Sequence, residues 1–488
     1  MSTSTPTTIE LDPSQELAVE LVRTARLGVI TGGPGTGKTT CLRTALDRID
    51  AEGTSTCPSC AGRGSVEQHD EWGGDSYMDT CPTCAGKGRC SSYALAAPTG
   101  KAARRMSEAT GRDACTVHRL LAYGPLPEGG VGFRHHAKNP LSHELVVVDE
   151  ASMLDVELAD ALFSAIDPDR TRLVLVGDVN QLPSVGPGRV FGDLIESERV
   201  PVARLERLHR SAAESWVCSQ APRILAGELP DLETRRDFVW ARADDRDAAA
   251  KLLVDVVTKH LPERRGVSGE AVQVLIPQRI GPAGGEAINV RLQPLLNPQR
   301  DDAAPAWKLG PYTVRAGDRV IQTSNDYMLN VMNGEVGVVA WVRDKPLTCP
   351  LCEGRKVIEV ADEEARHTVE RECSRCAGKG ALPPGMGVRF PEGRGERLVE
   401  YSKTKADALA LAYALTIHKS QGSEWPWVVV FVHSTHTTML TRQLLYTAIT
   451  RARVGVVIVG DKAGIERAVK ETKDARRNTA LVERLRAA

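Results

Sequence analysis

The stretch "VITGGPGTGKTT" (residues 29–40) constrains this chain more than any other feature. Its core, Gly32 to Thr39, fits GxxxxGK[ST] between an apolar strand and a helix, the setting in which such a loop cradles phosphates. The glycines let backbone N–H groups curl around the oxygens, and the following helix offers its positive N-terminal end. A strand–loop–helix of this kind belongs to an α/β fold, with helices covering both faces of a mostly parallel sheet. Gly32, Gly33, Pro34, Gly35, Thr36, Gly37, Lys38, Thr39 and Thr40 are therefore expected to hold ATP. Lys38 would meet the β/γ oxygens and the Thr39 hydroxyl would meet Mg²⁺.

Further apolar runs agree with that class. "RLGVIT", "SYALAAPTG", "ELVVVDEAS" and "RLVLVGDVNQLP" fall within about residues 26–200. "AVQVLIP", "DRVIQTS", "WVVVFVHS" and "VGVVIVG" fall within about 270–460. Runs this apolar predict strands buried on both faces, as in parallel sheets. The two groups predict two motor-type domains, 1–205 and 206–488, in a chain of 488 residues that exceeds one ordinary domain. The run "VVVFV" is far too short to span a membrane. "MSTSTPTTIE" has no basic stretch followed by an apolar one, so a disordered lead-in and a cytoplasmic location are expected. A net charge of −1 excludes a uniformly basic surface but allows a basic channel.

Two more strand ends carry polar chemistry. "VVVDEAS" places Asp149 to hold Mg²⁺ and Glu150 to orient and deprotonate an attacking water. "VGDVNQLPSVG" places Asp178 and Gln181 beside them, with the Gln181 amide suited to sensing the γ-phosphate.

What the hydrolysis drives emerges from the order of motifs. "LDPSQELAV", "TGGPGTGKTT", "APTGKAARRM", "CTVHRLLAYG", "VVVDEASML", "VGDVNQLPSVGPG", "RLERLHRSAAES", "TIHKSQGSEWPWVVV" and "LYTAITRARVGVVIVG" follow one another. This succession resembles the superfamily-1 helicases, most closely their RecD-like branch, over about residues 10–485 apart from the cysteine-bearing segments. The resemblance implies two RecA-like motor domains and a Mg²⁺-ATP-driven DNA helicase moving 5′ to 3′ on single-stranded DNA. It implies work in repair, recombination or replication, in a bacterial or phage-encoded setting, and a small β-barrel near 330–405. It also implies that Gln15 contacts the adenine and that Glu424 lies near the nucleotide. A motor of this type seats ATP between two bodies, and Arg210 and Arg451 are suited to act as arginine fingers because guanidinium stays charged and pairs bidentately with phosphate.

The DNA track is expected at Thr99, Lys101, Thr116 and His118 on the first domain and at Asn333, Thr416 and His418 on the second. Gly334 and Lys419 lie beside them. Contacts of this kind hold a strand without reading its sequence. Residues 122–140 surround "VGFRHH", a candidate hairpin in the place where the resemblance puts a strand-separating wedge, with Phe133, or else His135 and His136, expected against the first base pair. Trp425 is expected to pack in the core. A monomer acting on single-stranded and forked DNA follows. Three rivals stay open: a single-strand tracker that does not unwind, an RNA helicase, and a zinc-organised nucleotide switch.

Eight of the twelve cysteines form CxxC pairs: Cys57/Cys60 with Cys81/Cys84, and Cys349/Cys352 with Cys373/Cys376, each set separated by 20 residues. Four thiolates at this spacing predict two structural Zn²⁺ sites, in segments 57–90 and 349–380. "CPSCAGRG", "CPTCAGKG" and "CSRCAGKG" resemble the zinc module of DnaJ chaperones. "CPLCEGRK" lacks the last glycine, so a looser turn is expected there. A protein partner is one expected use of the inserts, nucleic acid another. Cys41, Cys90, Cys115 and Cys218 are expected to be bystanders.

Overall fold

The computed structural model describes residues 11–52, 55–56, 63, 65–69, 76–80, 89–90, 92–126, 129–207, 215–299, 301, 304–326, 328–362, 367–392, 395–472, 477 and 479–487. Two parallel sheets organise it. The first has six strands in the order Val202–Leu205, Leu27–Gly32, Arg172–Gly177, Leu145–Val148, Tyr93–Ala97 and Ala114–Thr116. Side chains alternate between two cores, as the period of two demands. Val29, Val146, Val148, Leu173 and Leu175 face the helices Val156–Ser164 and Val190–Ser197. Ile30, Leu145, Val147, Val174 and Val176 face Pro13–Thr24 and Lys38–Glu52. Helices on both faces explain why these strands are apolar throughout.

The second sheet has five parallel strands in the order Phe238–Arg242, Ala452–Gly460, Trp425–Val432, Val272–Ile276 and Ala414–Thr416. The chain then returns to the first sheet. Leu481 and Leu485 pack on the first core, and Arg199 Nε donates to the Leu485 carbonyl at 3.1 Å.

A third, antiparallel sheet takes the order Gly395–Tyr401, Gly385–Glu392, Val336–Arg343, Arg319–Gln322 and Leu409–Leu411. This corrects one expectation: "DRVIQTS" does not enter a parallel sheet but pairs antiparallel on both sides. Val320 points into one core cluster and Ile321 into another, so burial on both faces, not strand direction, made the run apolar.

Both cysteine segments share one ladder plan. Arg343 lies opposite Gly385, so residues 344–384 leave and rejoin the third sheet at one point. Within them Leu347–Thr348 pairs with Ala381–Leu382, and Val357–Asp362 with His367–Glu372. In the first segment Ser55–Thr56 pairs with Arg89–Cys90, and Ser65–His69 with Ser76–Thr80. The expected hairpin near 122–140 is present, Tyr123–Pro125 pairing with Val131–Phe133.

The antiparallel sheet is fastened to the second lobe by one buried carboxylate. Asp318 accepts from Gln293 Nε2 at 2.6 Å, Asn297 Nδ2 at 2.8 Å, Arg315 N at 2.8 Å and Tyr413 Oη at 2.8 Å. Asp318→Ala would orphan these donors and is expected to cost on the order of 3 kcal/mol, read as a lower urea midpoint.

Candidate active site at the lobe seam

The phosphate loop has the backbone its sequence requires. Gly35 (φ 73°) and Gly37 (φ 86°) occupy the left-handed region, and a Cβ on Gly32 would lie 2.8 Å from the Leu205 carbonyl oxygen. Lys38 Nζ donates to the carbonyls of Gly32 at 2.6 Å and Gly33 at 3.0 Å, spanning the loop's entry. Thr39 and Thr40 sit in the first turn of the helix Lys38–Glu52, where the dipole favours anions. Gln15 is buried. Its Oε1 accepts from Asp12 N at 3.2 Å in a capping box, and its Nε2 donates to the Thr36 carbonyl at 3.2 Å. Its amide thus braces the loop from below.

The acidic strand end faces the same space. Burial pushes the Asp149 carboxyl up to about 6, aided by Glu150, while the Glu150 N–H, Lys38 and Arg105 pull the other way. Glu150 holds φ 52°, a left-handed conformation that costs about 1 kcal/mol for a residue with a side chain. Asp178 is buried at the next strand end. Its Oδ1 accepts from Asn180 N at 3.0 Å, and Gln181 Nε2 lies 3.4 Å from its Oδ2.

The second lobe supplies the opposite wall. Tyr446 Oη donates to Asp178 Oδ2 at 2.7 Å across the seam, and burial beside that carboxylate pushes the phenol well above its ordinary range. Leu182 N donates to Thr447 Oγ1 at 2.8 Å, and Gln421 Nε2 to the Leu182 carbonyl at 2.8 Å. Arg451 is buried, donating to Thr447 O at 3.1 Å, Ser423 O at 3.3 Å and Thr450 Oγ1 at 3.3 Å. Glu424 bridges the lobes through Arg105 at 2.7 Å and Arg453 at 3.0 Å. Burial acts to raise its carboxyl, but Arg105, Arg451 and Arg453 together hold it below the usual range.

A cleft of about 730 Å³ gathers these groups: Gly33, Lys38, Thr39, Asp149, Glu150 and Gln181 from one lobe, Glu424, Arg451 and Arg453 from the other. Arg210 lies outside the described residues. Cys218, expected as a bystander, lines the same cleft with its Sγ 4.0 Å from the Pro34 carbonyl. Arg105, Arg453 and Tyr446 were not singled out in the sequence, although "APTGKAARRM" and "LYTAITRARVGVVIVG" contain them.

The expected DNA residues divide into three neighbourhoods. Thr99 caps the helix Gly100–Thr110 by accepting from Ala102 N at 3.2 Å. Lys101 Nζ sits 4.6 Å over the Trp425 ring, and burial, then Arg105 and Arg451, push its ammonium down to about 7. Trp425 is therefore only partly core, and it carries a cation across the seam. Met332 reaches the same helix, since a Cβ on Gly100 would lie 2.8 Å from it. The adjoining Asn333 is exposed and Gly334 is left-handed. Thr416 Oγ1 accepts from Lys419 N at 3.4 Å, and both line a groove of about 630 Å³. His418 begins the turn His418–Ser420. Thr116 caps a short helix by accepting from Arg119 N at 3.1 Å. His118 packs against the hairpin, its ring 5.6 Å from Tyr123 in an edge-on contact and 5.7 Å from Phe133 in a tilted one. Phe133 is half-buried there and His135 intermediate, while His136 is exposed.

Cys57, Cys60, Cys81 and Cys84 lie outside the described residues. Cys349, Cys352, Cys373 and Cys376 are buried with their sulfurs within 4.8 Å of one another, two pairs being 3.7 and 3.6 Å apart. The two turns are related by a local twofold: Cys349 N donates to the Gly380 carbonyl at 2.9 Å and Cys373 N to the Lys356 carbonyl at 2.8 Å. The expected loosening at "CPLCEGRK" is absent. Lys356 takes φ 72° where Gly380 takes φ 75°, so a lysine adopts the glycine's conformation.

Two parallel-sheet lobes meeting at a phosphate loop define a two-lobed P-loop nucleotide-binding protein. Residues 15–187 match a family described as an AAA domain, 288–349 one described as an ATP-dependent RecD-like DNA helicase SH3 domain, and 411–459 one described as a UvrD-like helicase C-terminal domain. The chain is 33% identical to an ATP-dependent RecD2 DNA helicase of Deinococcus radiodurans, over 98% of its own length and 53% of that protein's. It is 32% identical to a RecBCD enzyme subunit RecD of Mycolicibacterium smegmatis, over 97% and 75% respectively. It thus spans about half the length of the first relative and three quarters of the second. The chain belongs to the RecD-like family of superfamily-1 helicases.

Asp149 yields a stability prediction. Its raised pKa means the folded state binds a proton more tightly than the unfolded chain, so its contribution to stability falls as pH rises from about 4 through about 6. Asp149→Asn is therefore expected to raise the urea midpoint at pH 8, an advantage that shrinks as pH drops below about 6.

Proposed function

We propose that this protein is an ATP-dependent DNA helicase that translocates 5′ to 3′ on single-stranded DNA and opens duplex ahead of it. The observation that carries this is the seam itself, where Lys38, Thr39, Asp149, Glu150 and Gln181 face Glu424 and Arg451 across one cleft. ATP would lie with its phosphates against the loop amides, and Lys38 would exchange the Gly32 and Gly33 carbonyls for phosphate oxygens. Thr39 and Asp149 would hold Mg²⁺, which neutralises phosphate charge. Glu150 would orient the water, and Gln181 would follow the γ-phosphate. Arg451, with Arg210 as the second finger, would meet charge developing on the transferred group.

Residues 1–205 and 206–488 would be the two motor domains, with a barrel near 330–405 on the second. Gln15 would place the adenine. Thr99, Lys101, Thr116, His118, Asn333, Thr416 and His418 would line the strand's path, and the hairpin 122–140 would part the duplex. Repair, recombination or replication in a bacterial cytoplasm fits such an enzyme, working as a monomer on single-stranded and forked DNA. Among the described residues no helix is long and apolar enough to cross a membrane.

The four buried thiols fit zinc. A tetrahedron of Zn–S bonds near 2.3 Å has edges of about 3.8 Å, and two sulfur pairs lie 3.7 and 3.6 Å apart. Cys349, Cys352, Cys373 and Cys376 would hold one ion, and Cys57, Cys60, Cys81 and Cys84 a second. Each ion would supply folding free energy and, with four sulfurs, no open position for substrate.

Duplexes with 5′ or 3′ single-stranded tails test the main proposal. Only the 5′-tailed form is expected to open, and Lys38→Ala is expected to abolish opening and DNA-stimulated ATP hydrolysis. Opening of the 3′-tailed form alone would reverse the polarity, and stimulation by RNA but not DNA would change the substrate. Zinc released by thiol modification is expected at about two per chain, and Cys373→Ser is expected to remove one while single-strand-stimulated ATPase persists.

A further inference from the structure

The third residue after each CxxC pair is a cation in all four turns: Arg63, Lys87, Arg355 and Lys379. In the second insert the turn closes by Arg355 N donating to the Cys352 carbonyl at 2.7 Å and Lys379 N to the Cys376 carbonyl at 3.1 Å. The local twofold sets Arg355 and Lys379 in equivalent places, and Lys356 and Arg375 lie in the same two turns. All four side chains are exposed, and among the described residues none forms an ion pair.

Charge is segregated along the insert. The two turns, 349–356 and 373–380, hold four cations against one carboxylate, Glu353. Glu359, Asp362, Glu370, Arg371 and Glu372 lie along the adjoining ladder, with Asp362 paired to His367 at its far end and the Glu372 side chain beside Gly378. A role as counter-charge for the thiolates would turn the cations toward sulfur. Instead Cys376 Sγ takes its hydrogen bond from the Gly380 N–H at 3.3 Å, and the cations are left facing solvent. The insert joins the third sheet at Arg343 and Gly385, the opposite end of the strand Val336–Arg343 from the Asn333 turn. Eight residues of strand separate the two ends by about 23 Å.

We infer that Arg355 and Lys379, with Lys356 and Arg375 beside them, form a phosphate-binding face that holds the DNA backbone outside the motor cleft. The inference rests on the helicase proposal for the identity of its ligand. Such a face is sequence-independent, because exposed cations on rigid turns meet phosphate oxygens and no base edge. Rigid turns suit the task, since little backbone freedom is lost when each contact forms.

The test uses the full zinc-loaded chain and the variants R355E/K379E, R355Q/K379Q and R355K/K379R. Binding to a fluorescent single strand and to a 5′-tailed duplex is measured by anisotropy across a salt series, with zinc content and single-strand-stimulated ATPase turnover measured in parallel. R355E/K379E is expected to weaken binding roughly tenfold at low salt and to flatten the salt slope by about two, one for each lost phosphate contact. R355K/K379R is expected to bind as the parent does, with zinc and saturated ATPase turnover unchanged in all variants. Weakening confined to the tailed duplex assigns the contact to double-stranded DNA, and equal weakening on both probes assigns it to the single strand. Unchanged affinity and slope, or weakening only in variants that have also lost zinc, overturns the inference. A parent chain that binds neither probe overturns the helicase proposal and this inference with it.

Discussion

The hydrogen bond from Tyr446 to Asp178 is the contact on which the seam depends. Asp178 follows the strand Arg172–Gly177 of the first sheet, and Tyr446 lies on the helix Arg442–Ile449 that leads into the strand Ala452–Gly460 of the second. Both groups are buried, so separating them leaves a desolvated carboxylate and hydroxyl at a cost of about 1–3 kcal/mol. The next residue, Thr447, holds the Leu182 amide, and the Leu182 carbonyl is held by Gln421. The loop carrying Gln181 is thus bound on two sides by the second lobe. Arg451 lies just beyond the same helix and is fixed to its Thr447 carbonyl. The loop and Arg451 are thus joined through a single residue of that helix, Thr447.

Two carboxylates in this cleft are pushed in opposite directions. Asp149 is raised by burial, and Glu424 is lowered by three guanidinium groups that outweigh its burial. The difference follows from position. Asp149 stands at a strand end beneath the phosphate loop, where a divalent cation would restore the charge state its burial opposes. Glu424 stands between Arg105 of one lobe and Arg453 of the other, offsetting a wall that otherwise carries Lys101, Arg105, Arg451 and Arg453 close together. A triphosphate in the cleft would compete with the Glu424 carboxylate for the same cations. Occupancy of the cleft and the strength of the bridge between lobes would then be linked.

The parts of this arrangement legible in the sequence are those where a local rule suffices. Gly35 and Gly37 announce left-handed backbone, and the valines before Asp149 announce a strand buried on both faces. The CxxC spacing likewise foretold four sulfurs at one point in the second insert. Contacts between distant residues left no such mark. Tyr446 reads as one aromatic in an apolar helix until its hydroxyl is seen against Asp178, 268 residues earlier in the chain. Arg105 reads as a surface cation until Glu424 is brought beside it. Strand direction in the third sheet was hidden for a related reason: burial of Val320 and Ile321 in two cores gave "DRVIQTS" the signature of a parallel strand. The loss of glycine at Lys356 misled oppositely, because the paired hydrogen bonds hold a lysine there in the conformation of Gly380.

That turn also indicates how the second insert is held. Among the described residues its buried cluster consists of four cysteines and Leu382, with Ile358 packed against it. Burying so few apolar groups yields only a few kcal/mol, at roughly 2 kcal/mol per large side chain. Ordering a segment of this length costs about 1 kcal/mol or more per residue. The left-handed backbone at Glu353, Lys356 and Ala377 adds to the cost. Hydrogen bonds between the turns do not close such a gap, since each is worth about 1 kcal/mol net. A metal bound by four thiolates would add roughly 10–16 kcal/mol of folding free energy, the largest single contribution open to the insert. Because the insert rejoins the sheet where it leaves, an ion bound there would order it without moving the strands on either side of it.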